Sequence, residues 1–90
     1  MQFFFEPVMT YFVYILKSEK DLRYYVGYTS DLEKRLAYHN SGKQRHTRHR
    51  RPFRLVYYEE FDTKTEALKR ERQIKSYKGG AAFKKLIEGV

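Results

Sequence analysis

The chain contains no cysteine, which excludes disulfides, thiolate zinc sites and a cysteine nucleophile together. That absence fits a reducing, cytoplasmic setting. No stretch approaches the roughly 20 apolar residues of a membrane span. The opening MQFFFEPV lacks a basic leader and is interrupted by Glu6 and Pro7, so it makes a poor signal peptide. Internal repeats and low-complexity tracts are also missing. With 90 residues there is room for one domain, which buries roughly 60% of its unfolded surface and can be stable without covalent staples.

Net charge is also missing, but only from the first half. Residues 1–42 carry five Lys/Arg and five Asp/Glu, whereas residues 43–90 carry fourteen against six, so the whole excess of +8 lies in the second half. The run KQRHTRHRRPFR (43–54) holds six basic residues, two histidines and no acid. A one-sided basic surface is the electrostatic footprint of a polyanion partner. Lys43, Arg45, Arg48, Arg50 and Arg51 are the phosphate-binding candidates of this loop, and Arg72 and Lys75 those of a later helix. A solubility surface or a flexible basic loop is the plainer reading of the same charges.

Hydrophobic periodicity starts at Tyr11. Residues 1–10 therefore read as an N-terminal extension, with Met9 as an alternative start, and 11–90 as the domain. YFVYILK (11–17) is apolar on both faces, with Phe12, Tyr14 and Leu16 on one and Tyr11, Val13 and Ile15 on the other, as suits a central strand covered on both sides. SEKDL is turn-rich, and RYYVGYT (23–29) completes a hairpin. Gly27 within that strand marks a bulge or a close approach of another group. Ser30 and Glu33 form a capping box that starts a helix reaching about Asn40 and stopping at Gly42. RLVYYEEF (54–61) is the third strand. Thr63 and Glu66 open a second helix through about Tyr77, and AAFKKLIEG (81–89) a last short one. The expected fold is α+β, order β-β-α-β-α-α, with a three-stranded antiparallel sheet flanked by helices.

Helix geometry singles out Glu71. At 100° per residue it falls in the apolar arc defined by Ala67 and Ile74, and an unpaired carboxylate facing a core is costly. It must meet a metal or a cation, or sit at the rim and reach water. On the first helix Leu32 and Leu36 mark the buried face, with His39 on the same side and Arg35 at its edge, one turn away. A packed histidine and a surface ion pair are the ordinary alternatives. Tyr14 and Tyr25 are two of nine tyrosines, a common strand residue whose hydroxyl reaches the surface. His46 and His49 sit among arginines that repel a cation, so no histidine metal site is expected.

FVY at 12–14 and YVG at 25–27, followed by TSDLEKRLAYHNSG (29–42) and ALKRERQIK (67–75), together resemble the GIY-YIG nuclease superfamily. The likeness is to its small stand-alone bacterial members, similar to the nuclease module of the excision-repair excinuclease. It covers about residues 11 to 88. The resemblance implies that Tyr14 and Tyr25 are active-site phenols, that Arg35 clamps a phosphate, and that His39 occupies a position held by His or Tyr. It further implies that Glu71 is the sole protein ligand of Mg²⁺ or Mn²⁺, with Gly27 letting a strand backbone pass near the site. A phenol with a pKa of about 10 would need nearby cations to become a base. Several superfamily members carry an asparagine beyond the glutamate, where SYKGGAAFKK (76–85) has none.

The implied activity is metal-dependent endonucleolytic cleavage of DNA, on structured or damaged substrates in repair or recombination, with targeting left to an unidentified partner. The alternative is a non-catalytic module binding DNA or RNA on the same scaffold. A small ribosome- or RNA-associated protein also fits the size, basicity and exposed tyrosines.

Overall fold

The computed structural model describes residues 9–89. Apart from Met9 and Thr10, the expected N-terminal extension lies outside the described residues. The elements are β1 (Tyr11–Ser18), β2 (Tyr24–Thr29), α1 (Leu32–Ser41), β3 (Phe53–Phe61), α2 (Lys64–Ser76) and α3 (Ala81–Glu88), the order expected from the sequence. They form an α+β fold around one antiparallel sheet of order β2-β1-β3.

β1 is the central strand because both of its faces are apolar. Val13 and Ile15 pack with Ala67 and Ile74 of α2 and Phe83 of α3. Tyr14 and Leu16 pack on the opposite face with Phe53, Leu32 and Leu36. Val13, Ile15, Ala67 and Ile74 are all fully buried. Burying an aliphatic side chain contributes about 1.5–3 kcal/mol, so the two small clusters on one strand hold the layers together. A register irregularity between Ile15 and Leu16, against β3, leaves Val56 as an extra residue on that strand.

The helix ends follow local chemistry. Thr63 caps α2, its hydroxyl accepting from Glu66 N at 3.2 Å. α1 differs from the expectation by one residue. Asp31, not Ser30, is the cap, and its carboxylate accepts from Lys34 N at 3.1 Å. Thr29 sets this frame, because its hydroxyl accepts from Asp31 N at 3.1 Å and so holds Asp31 at the helix entrance. A negative side chain there also suits the positive helix end. α1 ends at Gly42, whose φ of 82° is the left-handed conformation glycine adopts without steric cost.

The basic segment after α1 contains one 3₁₀ turn, Arg48–Arg50, and is tied down at several points. Asn40 donates from Nδ2 to Phe53 O at 3.0 Å and accepts from Phe53 N at 2.7 Å, joining α1 to the start of β3. Glu19 N donates to Pro52 O at 2.8 Å. Arg50 Nε pairs with Asp21 at 2.6 Å. These contacts anchor the loop to the β1–β2 turn.

Candidate nucleic-acid interface

Tyr14 crosses the strand pair at Gly27, its register partner. A methyl group at Gly27 would lie 2.5 Å from Tyr14 Oη and 2.7 Å from Cζ. Any side chain here would force the Tyr14 ring to shift, so the glycine lets the phenol lie against the β2 backbone. Tyr14 is 2% exposed. Its ring stacks beside that of Tyr25, with centroids 6.3 Å apart.

Behind Tyr14 stands His39, 1% exposed. Its Nε2 lies 3.2 Å from Tyr14 Oη and its Nδ1 2.9 Å from the hydroxyl of buried Thr47. Burial, seconded by the Arg35 charge, lowers the His39 pKa below its ordinary value, so the ring is neutral at pH 7 and carries one N–H. The two hydrogen bonds must then run in the same sense. Either Tyr14 O–H donates to Nε2 and Nδ1–H donates to Thr47, or Thr47 donates to Nδ1 and Nε2–H donates to Tyr14.

The phenols are shifted away from ionisation. Burial is the largest cause for Tyr14, reinforced by Tyr25 and Glu71 and only partly offset by Arg35. Burial likewise raises Tyr25, with Arg35 opposing and Glu71 adding to the shift. The cation-rich setting that would favour a phenolate is therefore overruled by desolvation, and the free protein holds both as neutral phenols.

Tyr14, Tyr25, Gly27, Arg35 and Glu71 line one cleft of about 480 Å³, with Tyr11, Tyr28, Thr29, Ser30 and Lys64 completing its wall. Tyr25 packs with the α1-side cluster, whereas Tyr28 packs with the α2-side cluster. Residues from both faces of an edge strand thus share a single concavity, which therefore runs across the β2 edge. Glu71 reaches it from α2, its side chain 13% exposed and its carboxylate 3.8 Å from Lys75 Nζ. The apolar arc of α2 thus places this acid at the rim of the core, facing the cleft. Among the described residues, the salt bridges involve no contact to Arg35.

The other basic candidates separate into two groups. Lys43, Arg45, Arg48, Arg51 and Arg72 are exposed, and the Arg51 guanidinium lies against Gly42. Arg50 is engaged with Asp21, donates to Tyr24 O and lies over the Phe53 ring. Lys75 is shared with Glu71. Arg70, on the same helix, turns to Glu59 at 2.9 Å.

Sequence reasoning missed Thr47 and Lys64. Lys64 sits over the Tyr28 ring, 5.9 Å from its centroid, and adds a second cation to the cleft. Nothing in its position at the start of α2 signals this. Thr47 had one available signal: a histidine on a buried helix face requires a polar partner, and Thr47 is the hydroxyl residue inside the loop that follows.

Residues 10–84 match the family described as "GIY-YIG catalytic domain". The chain belongs to the GIY-YIG family. It is 48% identical over 80 residues to a UPF0213 protein of Staphylococcus saprophyticus, covering 88% of this chain and 96% of that protein. It is 47% identical over 68 residues to a UPF0213 protein of Haloquadratum walsbyi, covering 74% and 75%. The solution NMR structure of the UPF0213 protein BH0048 from Bacillus halodurans is 40% identical and covers 82% of this chain and 90% of that one, with a TM-score of 0.46. The relatives are UPF0213 proteins, so the family is established at the level of the GIY-YIG domain and not as an excision-repair nuclease.

Among the described residues, no group of three or more His, Cys, Asp or Glu side chains gathers to enclose an ion. Glu71 offers a single hard oxygen donor in an open cleft, which would suit a largely hydrated divalent cation and not a structural cage.

Proposed function

We propose that this chain is a nucleic-acid-binding module of the GIY-YIG family, gripping the phosphate backbone across the β2-edge cleft. The observation that carries this reading is Arg35. It lines a concave site whose wall also includes Lys64, on a chain of net charge +8. A guanidinium fork matches phosphate oxygens in a bidentate way. The exposed Lys43, Arg45, Arg48, Arg51 and Arg72 extend the positive surface and steer the polyanion toward it.

A second reading, endonucleolytic cleavage of DNA, is favoured by a specific observation. Tyr14, Tyr25, Arg35 and Glu71 come from four different elements and line the same cleft. In that reading Glu71 would hold Mg²⁺ or Mn²⁺, which supplies Lewis-acid polarisation of the scissile phosphate. Arg35 neutralises charge on the phosphate as the attacking oxygen approaches. Tyr14 positions that oxygen, and in the tautomer that leaves Nε2 unprotonated the phenol's own proton has an exit at His39. Tyr25 covers the His39 ring, with centroids 4.8 Å apart, and keeps bulk water from it. Structured or damaged DNA would be the substrate, as in repair or recombination, with a partner protein supplying targeting.

A panel of single-stranded, nicked, flapped and duplex DNA, with RNA of matching sequence, tests both readings in the presence and absence of Mg²⁺ or Mn²⁺. Binding that Arg35→Ala weakens supports the module. Metal-dependent cuts abolished by Glu71→Ala establish the nuclease. Binding without cuts, equal for wild type and Glu71→Ala, leaves the module alone. Retention of RNA or ribosomes through purification at moderate salt would point to an RNA-associated role.

A further inference from the structure

Tyr38 is a large aromatic residue on α1 that the phosphate site leaves unused. It is 38% exposed and lies one turn beyond Arg35, whose guanidinium sits 5.7 Å from the centre of the Tyr38 ring. A second concavity, of about 480 Å³, is lined by Thr29, Ser30, Asp31, Lys34, Arg35 and Tyr38. Three of these residues, Thr29, Ser30 and Arg35, also line the β2-edge cleft. Arg35 therefore stands in the wall between the two hollows, with the tyrosine cluster on one side and Tyr38 on the other. Asp31 is turned to the α1 N-terminus, where its carboxylate accepts from Lys34 N, and the Lys34 side chain is exposed.

From this arrangement we infer that the Tyr38 hollow is a subsite for an unpaired nucleobase next to the phosphate held by Arg35, and hence that the preferred ligand is single-stranded or locally opened nucleic acid. The inference rests on the nucleic-acid reading above and deepens it. The chemistry is specific to an unpaired base. Within a duplex both faces of a base are covered by its neighbours, so none is free to lie on a helix-surface ring. An unpaired base offers its π-face to Tyr38, and the adjacent Arg35 adds a cation to the stack. Lys34 lies on the same hollow for the phosphate of that nucleotide. The phosphate contacts fix position without discriminating strands, so the stacking ring is the element that separates a single strand from a duplex.

Equilibrium binding with the chelator EDTA present, so that no cutting intervenes, tests this directly. The ligands are a short single strand carrying the fluorescent base 2-aminopurine, the blunt duplex of the same length, and an RNA strand of the same sequence. Wild type is expected to prefer both single strands to the duplex and to quench 2-aminopurine emission. Tyr38→Ala should weaken single-strand binding by about 5- to 150-fold, the range of one lost stacking contact, abolish the quenching and leave duplex affinity nearly unchanged. Tyr38→Phe should behave as wild type, because the ring and not the hydroxyl carries the contact. If Tyr38→Ala binds and quenches the single strand like wild type, the inference is overturned while the phosphate-binding reading stands. An equal loss on single strand and duplex would also overturn it, since it would mark Tyr38 as a structural residue. Failure of wild type to bind any of the ligands would remove both readings together.

Discussion

Gly27→Ala tests how the site is built. The added methyl group would lie 2.5 Å from Tyr14 Oη and 2.7 Å from Cζ. The phenol has nowhere to go, being 2% exposed and hemmed in by Tyr25 and His39. Overpacking of this kind costs about 1–3 kcal/mol, and displacing the Tyr14–His39 hydrogen bond adds about 1 kcal/mol. Gly27 does not have a positive φ, so alanine recovers about 0.4–1 kcal/mol by restricting the unfolded chain. The net expectation is a loss of roughly 1–3 kcal/mol, or about 4–24 °C in Tm, since a domain of this size shifts about 4–8 °C per kcal/mol. Urea and thermal unfolding followed by circular dichroism measure it. Tyr14→Phe in the Gly27→Ala background removes the nearest clashing atom, so the double mutant should be less destabilised than the sum of the single changes. Unchanged or raised stability of Gly27→Ala, or strict additivity with Tyr14→Phe, would refute the claim that the glycine exists to seat the phenol.

Four further outcomes follow from the structure. Asn40→Ala breaks both hydrogen bonds to the Phe53 backbone and should cost about 1–3 kcal/mol in urea denaturation. His39 has a folded pKa below its ordinary 6.5, so the unfolded chain binds the proton more readily; its contribution is complete well above pH 6.5 and declines as pH falls from there through the lower folded value. Stability measured between pH 8 and 5 should therefore drop on the acid side, less so in His39→Gln. Alanine at Lys43, Arg45 or Arg48 should reduce the salt dependence of nucleic-acid binding by about one counterion each. Arg50→Ala should instead lower stability, because it removes the partner of Asp21.

The sheet and helices were legible because apolar periodicity is a strong local signal. The two-faced pattern of YFVYILK placed β1 at the centre, and Ala67 with Ile74 fixed the buried side of α2. Glu71 could be singled out for the same reason, as an acid in an apolar stripe. The role assigned to Arg50 was not legible in that way, since nothing in the run RHRR distinguishes the arginine that turns toward Asp21 from its neighbours. That choice depends on where the hairpin turn lies in space. The ionisation of Tyr14 likewise escaped the sequence, because counting nearby cations takes no account of desolvation. Tyr38 reads as an ordinary exposed helix residue until its neighbour Arg35 is seen to border two hollows.

The location of the ligand is the most direct test, and an amide-resolved NMR titration of the ¹⁵N-labelled protein with a short single-stranded oligonucleotide gives it. Saturable shifts concentrated at Gly27, Tyr28, Thr29, Arg35, Tyr38 and Glu71, weakened by Arg35→Ala, are the expected result. Shifts confined to β3 and α3, with the β2 edge silent, would contradict the cleft as the nucleic-acid site.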